Sequence, residues 1–121
     1  MKRDHLERSP HLYLTEIIDF IDKIDTYVKG MSYDDFAKDN RTIDAVDANE
    51  RKIGEAVRVL TKHRNVKELF YRFHIPYIDL SDMQTDLTHE YFIVNTASIW
   101  KTAQTLKSLR SQFKKVLEEL K

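Results

Sequence analysis

The last quarter of the chain sets the tightest limit on what it can fold into. Ile99, Leu106, Phe113 and Leu120 fall seven residues apart, Leu109 and Val116 take the complementary offset, and Trp100 stands beside them. At 3.6 residues per turn that spacing lines one side of a helix. It predicts an amphipathic helix of some seven turns, capped by Asn95 or Thr96. Such a stripe needs other helices to bury it, and the rest of the sequence supplies them.

From about His11 to Val28, Tyr13, Ile17, Ile21, Ile24 and Val28 recur at three to four residues, with Leu14 and Ile18 widening the stripe and Gly30 ending it. Ser32 and Asp35 in "SYDDF" have capping-box spacing and predict a short helical turn. A second long helix is expected from about Thr42 to His63 on Val46, Ile53, Val57 and Leu60, with Asn49 on the same face. "NVKELFYRF" from Asn65 is a short helix with Val66, Leu69, Phe70 and Phe73 inward, broken at Pro76. Leu80, Met83 and Leu87 mark a further helical piece. No stretch alternates as a strand does, and two glycines and two prolines in 121 residues leave little material for tight turns. The expectation is one all-α domain over residues 1–121, a bundle of three long and one or two short helices.

Several classes of chemistry are excluded. The absence of cysteine removes disulfides, thiolate metal sites and a cysteine nucleophile, and it fits a reducing compartment. "MKRDHLERSP" has no apolar core of a signal peptide, and no apolar run approaches a membrane span, so a soluble, cytoplasmic protein is expected. The net charge is zero, so the chain as a whole does not attract polyanions. Its bases are unevenly placed, however. Lys101, Lys107, Arg110, Lys114 and Lys115 meet no acid between Tyr91 and Leu117. That run is either a solvated helix face or a surface for a polyanion.

Within "MQTDLTHEYF" the chemistry narrows to one histidine. On a helix with Leu80 as reference, Met83 and Leu87 lie within about 60° of it, whereas His89 falls near 180°, together with Asp82 and Thr85. His89 is then expected to face water, a groove or a second subunit, either as an idle surface residue or as a base near neutral pH. "HEY" lacks the second histidine of a helical zinc motif, so neither metal nor cofactor is expected. Ser81-x-x-Gln84 has the spacing of a capping box, which would explain Gln84 without a site. Asn49, on a core-facing stripe, is either a buried network residue or part of a site.

"YLTEIIDFIDKIDTYVKGMSYDDF", "TIDAVDANERKIGEAV", "DMQTDLTHEYF" and "IWKTAQTLKSLRSQF" together resemble the HepT-like toxins, a branch of the HEPN superfamily of small all-helical ribonucleases. "IGEA" and "HEYF" are the specific parts. The resemblance implies a HEPN-type antiparallel helical bundle that forms a homodimer, with two copies of the motif facing one another across a cleft. It implies His89 as the base that activates a ribose 2′-hydroxyl, and Tyr91 as the tyrosine that receives AMP from a minimal nucleotidyltransferase acting as antitoxin. Where the family carries an arginine this chain has Gln84; the asparagine that follows is Thr85, and the glycine after the histidine is Glu90. Lys52 and Arg51 stand where the family has an apolar or acidic residue, and either could bring a cation to the cleft, beside Asn49 and Thr85. Two functions follow: an RNA-cleaving toxin using His89 and Gln84, or a HEPN dimer without catalysis that binds a nucleotidyltransferase.

Overall fold

The structure, a computed structural model, describes residues 9–89 and 95–120, without the side chains of 84–89. Among these residues the chain is helical and has no strand. Six helices follow in order: α1 (Pro10–Val28), α2 (Tyr33–Ala37), α3 (Asn40–Leu60), α4 (Arg64–Arg72), α5 (Tyr77–His89) and α6 (Thr96–Glu119). Three are long, as expected, but the shorter ones number three rather than one or two. The corner at Pro76 separates α4 from α5, as the break expected at that proline implies.

Side chains close the helix ends at the places the sequence marks. Ser9 Oγ accepts from the Leu12 amide at 3.1 Å ahead of Pro10, and Asn95 Oδ1 accepts from the Ser98 amide at 3.0 Å. Ser32 and Asp35 form a reciprocal capping box, both bonds being 3.1 Å. Asp39 caps α3 by accepting from the Thr42 amide at 3.0 Å and its hydroxyl at 2.8 Å. That cap starts α3 two residues before the expected Thr42, and the helix ends at Leu60 rather than His63. Gly30, at φ 78, turns the chain out of α1 where a side chain would be strained.

The running directions of the helices follow from ion pairs and short connections. Lys107 meets Asp25 at 3.2 Å and Arg110 meets Asp22 at 2.6 Å, so α6 runs antiparallel to α1. Between α1 and α3 lies only α2 with its flanking turns, so α3 must start at the end where α1 finishes. At the other end, Phe70 of α4 stacks on Tyr77 at 6.3 Å and meets Phe113 of α6 edge-on at 6.0 Å. This places the start of α5 beside the end of α3, and α5 runs back along it.

Leu14, Ile17, Ile21, Val46, Ile53, Val57, Leu60, Phe70, Leu106 and Phe113 are fully or almost fully buried between these helices. Each contributes about 1.5–3 kcal/mol through removal of apolar surface from water. The most extensive packing in the molecule joins α3 to α5, followed by α1 to α3 and α1 to α6; α5 otherwise meets α4 only slightly. The layout is thus α6, α1, α3, α5, with α5 on the outer flank of α3. No helix among the described residues is long and apolar enough to cross a membrane.

Candidate functional site

The site is built on α5, which the preceding corner aims. Ile75 is buried and its amide donates to Phe70 O at 2.8 Å, while His74 adopts φ 60 to make the bend. Pro76 then offers its carbonyl to the Leu80 amide at 3.0 Å as the first turn forms. Leu80 is buried and Met83 half-buried, which fixes the side of α5 that faces the bundle; Ile78, Asp79 and Asp82 are exposed. The helix already runs from Tyr77 when it reaches Ser81, so Ser81 is interior to α5 and not an N-cap. The Ser81–Gln84 capping box is thereby overturned, because a cap needs amides that no preceding turn satisfies.

Gln84, Thr85 and His89 belong to the α5 backbone, which runs to His89. Their side chains lie outside the described residues, as does Tyr91 altogether. The expected outward face of His89 therefore falls outside what the structure describes.

Across from α5, α3 carries a polar step in an apolar face. Asn49 is buried at 6% exposure, and its Nδ2 donates to the Ala45 carbonyl at 2.8 Å, one turn back. Its Oδ1 is buried without a partner among the described residues, as are Asp47 Oδ1 and Glu50 Oε2. Glu50, at 3% exposure, is missed by a reading of the sequence that counts the stripe as Val46, Ile53, Val57 and Leu60. The signal was present: Glu50 follows Val46 by four residues and precedes Val57 by seven, so all three share a face.

Burial, and secondarily the charge of Asp47, raise the Glu50 carboxyl from its ordinary 4.5 to about 9. It keeps its proton at neutral pH and adds no negative charge to the site. Burial also raises Asp47, although Arg51, at 3.8 Å, draws it back.

The structure gives Lys52 and Arg51 of α3 different surroundings. Lys52 is exposed and lies about 160° around the helix from Glu50, with its Nζ 5.6 Å from the Phe20 ring of α1. Within this chain it is turned toward α1 rather than α5. Arg51 is exposed, with its Nε 3.8 Å from Asp47 Oδ2 one turn back on α3. The basic run on α6 is likewise partly consumed. Asp22 and Asp25 of α1 take Arg110 and Lys107, while Lys101, Lys114 and Lys115 face solvent.

Asp47 Oδ1, Asn49 Oδ1 and Glu50 Oε2 are thus buried without partners among the described residues on α3, the helix that packs most extensively against the one bearing Gln84, Thr85 and His89. Among the described residues no group of three or more histidines and carboxylates could hold a metal ion.

The chain matches the family model of HepT-like ribonucleases over residues 17–116. It is similar to a protein of Thermococcus cleftensis named "Probable ribonuclease HepT", with 32% identity over 119 residues, covering 96% of this chain and 98% of that protein. A candidate RNase of Caldanaerobacter subterraneus subsp. tengcongensis is 33% identical over 115 residues, covering 94% and 99%. A candidate RNase of Methanocaldococcus jannaschii is 29% identical over 115 residues, covering 94% and 92%. No solved structure matches the chain. With the family model spanning α2 to α5 in full and most of α1 and α6, this chain belongs to the HepT-like ribonuclease family.

Proposed function

We propose that the protein is the toxin of a toxin–antitoxin pair, a metal-independent RNA endonuclease that works as a homodimer. The observation that carries this reading is the family match over residues 17–116, which takes in both His89 and Tyr91. His89 removes the proton of a ribose 2′-hydroxyl, and the freed oxygen attacks the neighbouring phosphorus. The bond to the 5′-oxygen breaks, that oxygen takes up a proton, and a 2′,3′-cyclic phosphate and a 5′-hydroxyl remain. Gln84 donates a hydrogen bond to a non-bridging oxygen as charge develops there, a weaker aid than a cation would give. A minimal nucleotidyltransferase antitoxin moves AMP from ATP to the Tyr91 oxygen with loss of pyrophosphate, which places a bulky anion beside the base.

A second reading has an observation of its own. Gln84 brings no positive charge, and the exposed Asp79 and Asp82 make this helix unfavourable for an incoming phosphate. On that reading the protein is a HEPN dimer without catalysis that binds a nucleotidyltransferase.

Purified protein incubated with a mixed RNA pool in chelator, beside His89→Ala, separates the two. Cleavage by the wild type that disappears in the variant is the expected result, with cyclic phosphate ends on the fragments. An uncut pool, with the dimer intact by light scattering and Tyr91 unmodified by mass, leaves the binding protein.

A further inference from the structure

The outward face of α4 has a composition that neither the core nor the α5 site explains. Arg64, Lys67 and Tyr71 are spaced i, i+3 and i+7 and so share one side of the helix, opposite Val66 and Phe70, which close the core. Tyr71 is 77% exposed, more than any other large apolar or aromatic side chain described. Ile78, just past the His74–Pro76 corner in sequence, is 65% exposed. An open groove of about 590 Å³ is lined in part by Tyr71, His74, Pro76 and Tyr77.

The cations on this face are uncommitted. Neither Arg64 nor Lys67 has an acid within ion-pairing distance among the described residues; Lys67 Nζ lies 5.9 Å from the Tyr77 ring. Arg72, in contrast, is held by Glu119 at 2.9 Å and lies over Phe73. Glu68, four residues after Arg64 and three before Tyr71, is the one acid on this side of α4 and leaves the face with a net positive charge; Asp79 is exposed beyond the corner. An exposed ring with free cations along the same face is the pattern that takes single strands. Bases stack on the ring without regard to sequence, and cations hold the backbone.

We propose that this face is a subsite for single-stranded RNA, in which Tyr71 stacks on a base while Lys67 and Arg64 hold the adjoining phosphates. The assignment rests on RNA being the ligand of the α5 site. The 13 residues of α5 set its two ends about 18 Å apart. A strand stacked at Tyr71 therefore needs only a few nucleotides to run along α5 to its His89 end. The subsite grips the substrate away from the reacting phosphate, where the acids of α5 weaken binding.

The test uses the full chain and a fluorescent single-stranded oligonucleotide with 2′-O-methyl riboses, which cannot be cut by 2′-hydroxyl attack. Anisotropy titration is expected to show Tyr71→Ala binding at least about fivefold weaker, with Tyr71→Phe close to wild type. Arg64→Gln and Lys67→Gln should each lower the slope of log Kd against log salt by about 0.7. A Kd unchanged in Tyr71→Ala, or no binding by the wild type, overturns the proposal. So does a loss of binding accompanied by a fall in molecular mass, which would make the face a contact between protein subunits. Because the probe is not cleavable, an RNA pool left uncut alongside Tyr71-dependent binding would remove the nuclease and leave the subsite.

Discussion

Arg110 of α6 grips Asp22 of α1 with two parallel contacts, Nε to Oδ1 at 2.6 Å and Nη2 to Oδ2 at 3.0 Å. The residues are 88 positions apart, and the fork joins the two ends of the sequence at mid-bundle. The Arg110 hydrogen bonds hold the Asp22 carboxyl below its usual 3.8. A depressed carboxylate stabilises the fold above that value, and the contribution fades as pH falls through the lower folded-state pKa. Both side chains are well exposed, which keeps the effect small. Arg110→Ala and Asp22→Asn should each cost about 0.5–1 kcal/mol at neutral pH. In a double-mutant cycle by urea denaturation the coupling should vanish at 1 M salt; additivity at low salt would show that the pair contributes nothing.

Glu50 gives the opposite dependence. Its folded-state carboxyl is raised to about 9 by burial, so the stability linked to its proton is complete below about 4.5 and is lost as pH rises through 9. At pH 7 that burial costs about 3 kcal/mol relative to an ionised glutamate in the unfolded chain. Glu50→Leu should therefore stabilise the protein at pH 7 by roughly 2–3 kcal/mol. Urea denaturation of both proteins at pH 5, 7 and 9 should show a difference that widens upward. A constant difference would mean that a donor inside the folded protein already pairs with the ionised carboxylate.

His74 occupies the left-handed region at φ 60, which costs a side-chain-bearing residue about 1–2 kcal/mol. His74→Gly should raise stability by about 0.5–1 kcal/mol after the added freedom of the unfolded chain is deducted. His74→Val, branched at Cβ, should lower it. Chemical denaturation midpoints of the three proteins give the order directly, and a glycine variant weaker than wild type would reveal a contact of the imidazole that holds the corner.

Gln84→Arg is the chemical counterpart. A single preorganised stabiliser of developing charge contributes about two to three orders of magnitude in rate. If the reaction proceeds at His89, an arginine at this position should speed RNA cleavage by at least about tenfold at saturating substrate. A variant that binds RNA more tightly and cuts no faster would show that position 84 does not meet the reacting phosphate.

The helices were legible because their signals are local. Seven-residue spacing gave α6, alternation at three and four gave α1 and α3, and Ser32 with Asp35 announced the short α2. What failed was the start of α5. Ser81 and Gln84 have the letters of a cap, but a cap is defined by the turn that precedes it, and Pro76 had already begun the helix. Glu50 was passed over for another reason, although its spacing put it on the apolar face. A charged residue on an apolar stripe reads as an interruption until the packing of neighbouring helices is seen to bury it. Of the site, the sequence alone marked Asn49 as inward-facing, while the different surroundings of Lys52, beside Phe20, and Arg51, beside Asp47, needed the bundle's layout.

The place of α5 at the edge gives the molecule an internal ranking of stabilities. α1, α3 and α6 close on one another, and α5 is fastened mainly along a single seam to α3. Detaching it leaves the other three helices mutually packed, so its release costs less than global unfolding. Its backbone amides should exchange with deuterium ahead of those of α1 and α6, as a unit. The helix that carries Gln84 and His89 is thus the one the fold can let go without coming apart.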